Sequence, residues 1–303
     1  MKKTNRAWLF GAFACLCALA LVLAGCGSAS TDEAATDDAA TTTTEDATTT
    51  TTDDATTDDS TTDATTADYT LVEDGKIISV SDMECPPFSS YKDGTSEPEG
   101  FEVDLMKAVA EKMGLESEWL PKMDFDAIIP LIKQGGKADV GVANFTITDE
   151  RKQEIDFTDP YYVANIAFVT KGDTTATSSE DFNKEGMRIG VQAGTTGEAW
   201  AKENLPKATL VSMIPATAML SVQSGGDEGS EALDAMISDL PVANSLIAKS
   251  YSDLKVLEQI ATGDEFGIVV SKDNPQLTAK LNEVLAELQA DGTIDALIEK
   301  WLS

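Results

Sequence analysis

The sequence contains no histidine. That absence excludes Ser–His and Cys–His nucleophile pairs and the usual zinc sites. Cysteine is nearly absent where a globular fold is expected. Of four cysteines, Cys15 and Cys17 lie in an apolar N-terminal run and Cys26 ends it. Only Cys85 belongs to the globular part, so no disulfide forms within that part. Positive charge is also scarce. The 303 residues carry 22 Lys and Arg against 53 Asp and Glu, a formal net charge of −31. Phosphate backbones demand clustered bases, so nucleic acid is not expected as a partner. Nothing in the composition asks for a metal or cofactor, and neither is expected.

The charge is unevenly spread. Residues 28–68 hold twelve acids and no base, and are otherwise almost wholly Thr and Ala. Such a segment cannot bury enough apolar surface to offset its ordering entropy. Its carboxylates repel one another and extend it. A disordered tether over residues 27–68 is expected. Residues 69–303 are acidic in their own right: 41 acids and 19 bases leave them at −22. The start is different again. Lys2, Lys3 and Arg6 precede an apolar stretch from Trp8 to Ala24, the pattern of a secretion signal over residues 1–26. Leu23-Ala24-Gly25-Cys26 resembles the bacterial lipobox, which implies lipidation at Cys26. Two or more acyl chains give stable attachment to a membrane. A transmembrane helix is the competing reading of the apolar run, but a cysteine after small residues and before a polar linker favours the lipoprotein.

From Tyr69 the chain alternates strand and helix. Strands are read at Lys76–Ser81, Glu116–Leu120, Asp139–Ala143, Asn165–Thr170, Met187–Gln192, Thr209–Met213, Asp234–Ser238, Leu254–Leu257 and Phe266–Val270. Helices are read at Phe101–Met113, from Phe125 to Gly135-Gly136, around Glu198–Glu203, and over Pro215–Gln223 and Pro241–Lys249. Two more fill Pro275–Leu302, broken near Gly292. Asp82–Phe88 reads as a rigid loop set by two prolines, and Gly225–Ser230 as a polar insertion. Alternation of this kind predicts an α/β fold with mainly parallel sheets.

The stretch Asp139–Tyr162 organises the rest. A buried strand runs into Asn144, Phe145 and Thr146, at the end where open α/β sheets bind ligands. Thr148-Asp149-Glu150 then opens a helix with a cap and acidic first-turn residues. Arg151 stands in that same first turn, where the helix dipole disfavours a cation. It needs an anion. Either a nearby acid (Asp149, Glu150 or Asp156) supplies it, or a ligand carboxylate does.

Several segments together carry a resemblance. They are Pro86-Pro87-Phe88, Gly100 to Leu105 (GFEVDL), Phe125-Asp126 with Ile129-Pro130, and Thr146-Ile147-Thr148 running to Arg151. Asp156 to Tyr162 (DFTDPYY), Gly194-Thr195-Thr196 and Asp291-Gly292-Thr293 complete the set. Over about residues 70–303 the chain resembles the amino-acid-binding proteins of ATP-binding-cassette importers, extracellular solute-binding family 3. The resemblance implies a two-lobed type II periplasmic-binding-protein fold, each lobe a mostly parallel sheet flanked by helices. Lobe 1 would comprise residues 69–162 plus 264–303, and lobe 2 residues 163–263, with hinge crossings near residues 163 and 263. A free α-amino acid would lie in the cleft of a monomeric protein and pass to a permease of the same importer. The anchored protein would face the extracellular side.

The resemblance also implies roles. Arg151 would grip the ligand carboxylate with its planar fork, and Thr196 would meet the same carboxylate from the opposite lobe. Thr195 precedes it at a helix N-terminus, where backbone N–H groups favour anions; a plain helix cap is the competing reading. Asp239 would take the ligand ammonium, though its place before a helix also reads as a cap. Asn144, Phe145 and Thr146 would offer carbonyl and hydroxyl groups to the ammonium. Phe125 would stack on the ligand side chain, or serve as a core aromatic at a helix start. Cys85 departs from the family, where an aromatic residue is common, and reads best as a small wall residue. Asp82 and Glu84 would meet a cationic side chain if the ligand has one. Two other outcomes stay open: an enzyme of the same fold, such as a cyclohexadienyl dehydratase with Glu84 as its acid, or a ligand-sensing subunit of a signalling complex.

Overall fold

A computed structural model describes residues 69–225 and 231–303. The expected signal, the Cys26 anchor, the tether and most of the polar insertion lie outside the described residues. Among the described residues, no helix is long and apolar enough to cross a membrane.

Two five-stranded sheets organise the described chain. The first has the order β5-β1-β6-β13-β7, with β1 at Lys76–Val80, β5 at Glu116–Trp119, β6 at Val140–Gly141, β7 at Asp156–Phe157 and β13 at Val269–Val270. β1 pairs in parallel with both β5 and β6; β13 is antiparallel to its neighbours. The second has the order β10-β9-β11-β8-β12, with β8 at Tyr162–Lys171, β9 at Arg188–Val191, β10 at Thr209–Ser212, β11 at Ala235–Asp239 and β12 at Leu254–Phe266. β9 pairs in parallel with β10 and β11, while β8 runs antiparallel to β11 and β12. The molecule thus has two lobes, each a mixed sheet covered by helices.

Helix α1 (Phe101–Met113) shows why the sequence folds this way. Phe101, Leu105, Met106, Val109 and Ala110 fall on one face and are buried. Each fully buried large apolar side chain contributes about 1.5–3 kcal/mol. Gly114 ends the helix in the left-handed conformation and returns its N–H to the carbonyls of Ala110 and Glu111, a stop that glycine permits without strain. The C-terminal helices α7 (Pro275–Ala290) and α8 (Thr293–Leu302) pack back on α1. Trp301 Nε1 donates to Asp104 Oδ2 at 2.8 Å. The last residues therefore complete the first lobe, not the second.

Three readings change. Asp82–Phe88 is not wholly loop: β2 (Glu84–Cys85) pairs with β3 (Ser89–Tyr91), which pairs with β4 (Pro98–Glu99). These strands are too short for any periodicity to reveal. The expected strand Asp139–Ala143 shrinks to β6, although Asp139 N and Val142 N still bond to Ile78 O and Val80 O of β1. The expected strands Leu254–Leu257 and Phe266–Val270 are replaced by one long β12, a short gap and β13. Residues 258–265 are mostly polar and hide the strand, which is held by its ladder to β8 with two register shifts.

That ladder joins the two lobes. Both chain crossings between the lobes run side by side, with Tyr162 opposite Phe266 and Val163 opposite Glu265. The remaining helices are α2 (Phe125–Gln134), α3 (Asp149–Glu154), α4 (Thr196–Asn204), α5 (Pro215–Ser224) and α6 (Leu240–Ser250), with a short 3-10 turn at Ser179–Phe182.

Candidate functional site

Four strands of the two sheets deliver residues into the space between the lobes from their carboxyl ends, as open α/β sheets do. β1 leads to Asp82, β6 to Asn144, β9 to Gln192 and Gly194, and β11 to Asp239.

Arg151 is the third residue of α3, and its N–H bonds to the Thr148 hydroxyl at 3.2 Å. That cap fixes the turn and turns the side chain inward. The guanidinium donates to two carbonyls, Thr146 O at 2.7 Å and, across the cleft, Gly194 O at 2.9 Å. It also lies 5.6 Å from the ring centroids of both Phe125 and Phe145. Those rings stack at 4.5 Å, so the cation rests on an aromatic pair. Asp149, Glu150 and Asp156 do not pair with it: none of the ion pairs among the described residues involves Arg151. Burial pulls its pKa below the usual value, opposed by the charges of Asp239 and Asp264. An arginine nonetheless remains charged.

Asp239 ends β11 and precedes α6, yet its side chain makes no cap bond. It instead accepts from Asn144 Nδ2 of the other lobe at 3.2 Å. Burial, then the charge of Asp264, pushes its carboxyl up to about 7. Asn144 has φ of 51°, a left-handed conformation uncommon outside glycine. Thr195 caps α4, accepting from Glu198 N at 3.1 Å and donating to Gln192 O at 2.8 Å. Thr196 donates to Asp264 Oδ2 at 3.1 Å. The Thr146 backbone receives Arg151 and bridges to Phe266 of β12.

Asp82 is buried and accepts from Gln192 Nε2 of the second lobe at 2.7 Å. Burial raises its pKa to about 6. Glu84 is ion-paired with Lys122. Cys85 is buried; burial and then the charge of Asp82 raise its thiol well above its ordinary value. The thiol is therefore kept protonated, a poor nucleophile. Gly194 lets the lobes approach, since a Cβ there would sit 3.1 Å from Asp126 Cβ, and its φ of +76° suits only glycine comfortably.

The space is divided. A cavity of about 440 Å³ is bounded by Phe125, Arg151, Gly194 and Thr196, and one of about 370 Å³ by Asp82, Phe125 and Gln192. Between Cys85 and Asp239 only about 30 Å³ remains, sharing Thr195 with the first cavity and Gln192 with the second. That volume holds a water or two, not an organic molecule. The cross-cleft bonds from Asn144, Gln192 and Arg151 tie polar groups of the two lobes to one another, while Asn144 Oδ1 stays buried without a partner. A ligand reaching Asp239 must replace some of them. Among the described residues, no cluster of acids or Cys is placed to hold a metal.

Sequence reasoning did not single out Gln192, Asp264 or the Gly194 carbonyl. It quoted Glu102 and Tyr161 only as parts of motifs. Glu102 is fully buried with a pKa near about 7, raised by burial. The available signal was spacing: Glu102 falls on the same helical face as Leu105, Met106 and Val109.

These buried acids set a pH dependence. Asp239, Glu102 and Asp82 all hold protons more tightly in the fold than in the unfolded chain. Asp264 shifts the same way, through burial; Arg151, Tyr161, Cys85, Glu84 and Lys122 are the other titratable groups facing them. Where the folded state binds more protons, stability falls as pH rises. The melting temperature of the ligand-free protein should therefore decline from about pH 4 to about pH 7, between the ordinary carboxylate values and the folded values. Asp239→Asn should flatten the slope. A melting temperature that rises over that window contradicts the assignment.

The family described as bacterial extracellular solute-binding proteins, family 3, matches residues 77–303. The L-cystine-binding protein TcyJ of Escherichia coli (strain K12) is 29% identical over 237 residues, covering 76% of this chain and 83% of the relative. An ancestral arginine-binding protein solved with arginine is 35% identical with a TM-score of 0.68, covering 76% of this chain and 99% of that one. An ancestral amino acid-binding protein, AncCDT-1, a precursor of cyclohexadienyl dehydratase, is 36% identical with a TM-score of 0.68, covering 76% and 96%. With the whole two-lobed region matched, the chain belongs to the bacterial extracellular solute-binding proteins, family 3.

Proposed function

We propose that the protein captures a free α-amino acid between its lobes and delivers it to an ATP-binding-cassette permease, anchored at the membrane through a lipidated Cys26. The observation that carries this reading is the pairing of opposite charges across one cleft. Arg151 offers a guanidinium bonded only to carbonyls, and Asp239 a carboxyl without a cap bond. An α-amino acid carries the two complementary groups on one carbon. Its carboxylate meets the fork of Arg151 with Thr196 opposite; its ammonium meets Asp239 beside Asn144. Because the two anchors sit on different lobes, the ligand stabilises closure about the paired strands β8 and β12.

The cleft has more acids than bases. Asp82, Glu84, Asp126 and Glu150 are among the acids lining the two larger cavities, with Asp239 in the narrow space between them, against Arg151, Lys122 and Lys202. That surplus supports a ligand with a cationic side chain, which Asp82, lining the 370 Å³ cavity, would meet. The solved relative that holds arginine supports the same preference. Glu84, the acid a dehydratase reading requires, is ion-paired with Lys122, which favours binding over turnover. Lipobox residues ending at Cys26 support the anchor.

A thermal-shift screen of the twenty amino acids and cystine tests the reading. A ligand bound well above its dissociation constant raises stability by about 2.7 kcal/mol at a hundredfold excess. At least one L-amino acid should raise the melting temperature, arginine or lysine more than glutamate. A screen in which none does so sinks the proposal.

A further inference from the structure

Glu102 lines none of the three cavities described above, yet it sits at the junction of three parts of the binding apparatus. It lies in the first turn of α1, fully buried. The turn is locked in place: Phe101 N and Glu102 N bond to Pro87 O and Phe88 O at 2.9 Å each. A Cβ on Gly100 would lie 2.2 Å from Phe88 O, so nothing but glycine allows this approach. The Glu102 side chain cannot drift, and its Oε1 accepts twice. One donor is the backbone N–H of Asn144, at 2.7 Å. The other is the Tyr161 hydroxyl, with Ser89 beside the same carboxyl.

Both donors matter to the cleft. Asn144 is in the left-handed conformation, and its Nδ2 points across the cleft to Asp239. Tyr161 is buried, its N–H is bonded to Phe266 O at 2.9 Å, and it immediately precedes β8, the first crossing between the lobes. Without Glu102, a buried N–H and a buried hydroxyl lose their acceptor, and the strained Asn144 loses the bond that holds it.

We propose that Glu102 is a positioning residue for ligand capture: it fixes Asn144 in the conformation that aims its carboxamide at Asp239, and through Tyr161 it ties that loop to the hinge. This rests on the reading of Asp239 as the ammonium site.

The test uses the whole protein and Glu102→Ala, Glu102→Gln and Tyr161→Phe, each titrated calorimetrically with L-arginine, L-lysine and L-cystine. Glu102→Gln keeps an acceptor oxygen for both donors, so its affinity should stay within about threefold of the unaltered protein. Glu102→Ala should lose about tenfold or more, and Tyr161→Phe about three- to tenfold. A purely structural role would lower the melting temperatures without this order of affinities. If Glu102→Ala fails to fold, Tyr161→Phe against Glu102→Gln decides. Tyr161→Phe and any folded Glu102→Ala binding within about twofold of the unaltered protein overturn the inference while leaving the amino-acid reading intact. If the unaltered protein binds none of the three probes, the same variants are titrated with the amino acid that gives the largest thermal shift; if no amino acid gives one, the inference falls together with that reading.

Discussion

Arg151→Ala is expected to abolish calorimetric binding of every amino acid that the unaltered protein takes up. The guanidinium is partly buried on the Phe125–Phe145 pair, and its partners are two carbonyls. Carbonyls stabilise a cation less than a carboxylate does, so the strongest partner is still to come with the ligand. Removing one member of a buried charge pair costs about 3–5 kcal/mol, or roughly two to three and a half powers of ten in affinity. Arg151→Lys should not restore binding, because a point charge lacks the fork that holds two oxygens. The unliganded fold should survive, since the change deletes two surface-proximal bonds at the cleft rather than core packing. Near-native affinity in Arg151→Ala would remove the carboxylate from this position.

Asp239→Asn should separate binding from stability, moving them in opposite directions. In the free protein the carboxyl is disfavoured by burial and by Asp264, which is why its pKa rises to about 7. An amide of the same shape escapes that cost, so the ligand-free melting temperature should hold or rise at pH 8. Binding should nonetheless weaken by about 2–5 kcal/mol, because the ligand ammonium loses its counter-charge. Differential scanning fluorimetry and calorimetry on one preparation read both quantities. A variant that loses stability and affinity together would point to a structural role for Asp239.

Much of this was legible in the chain. Helix α1 was readable to the residue, because its apolar spacing, its Gly100 entry and its Gly114 stop agree. The C-terminal helices were readable for the same reason. Strand β12 was not, since its polar middle owes its form to β8 rather than to its own pattern. The short strands β2, β3 and β4 likewise exist through their pairing. Within the cleft, Arg151 announced itself by standing at the wrong end of a helix. Asp239 was harder, because an acid before a helix usually caps it, and only the structure shows that the cap bond is absent. Asp264 and Gln192 gave no sign at all: an acid and an amide in polar segments look solvated until the fold brings Thr196 and Asp82 against them. Glu102 sat in plain view inside GFEVDL, but one acid on a helix ordinarily faces water.

The central claim is that one cleft recognises both charged groups of an α-amino acid. Its most direct test is a calorimetric titration of the unaltered protein with L-arginine, with its decarboxylated analogue and with its des-amino analogue. Each analogue keeps the side chain and lacks one of the two groups. The account predicts that L-arginine binds and that each analogue is weakened by at least about a hundredfold. Equal affinity for either analogue would contradict it, because the group that analogue lacks would then have no partner in the cleft.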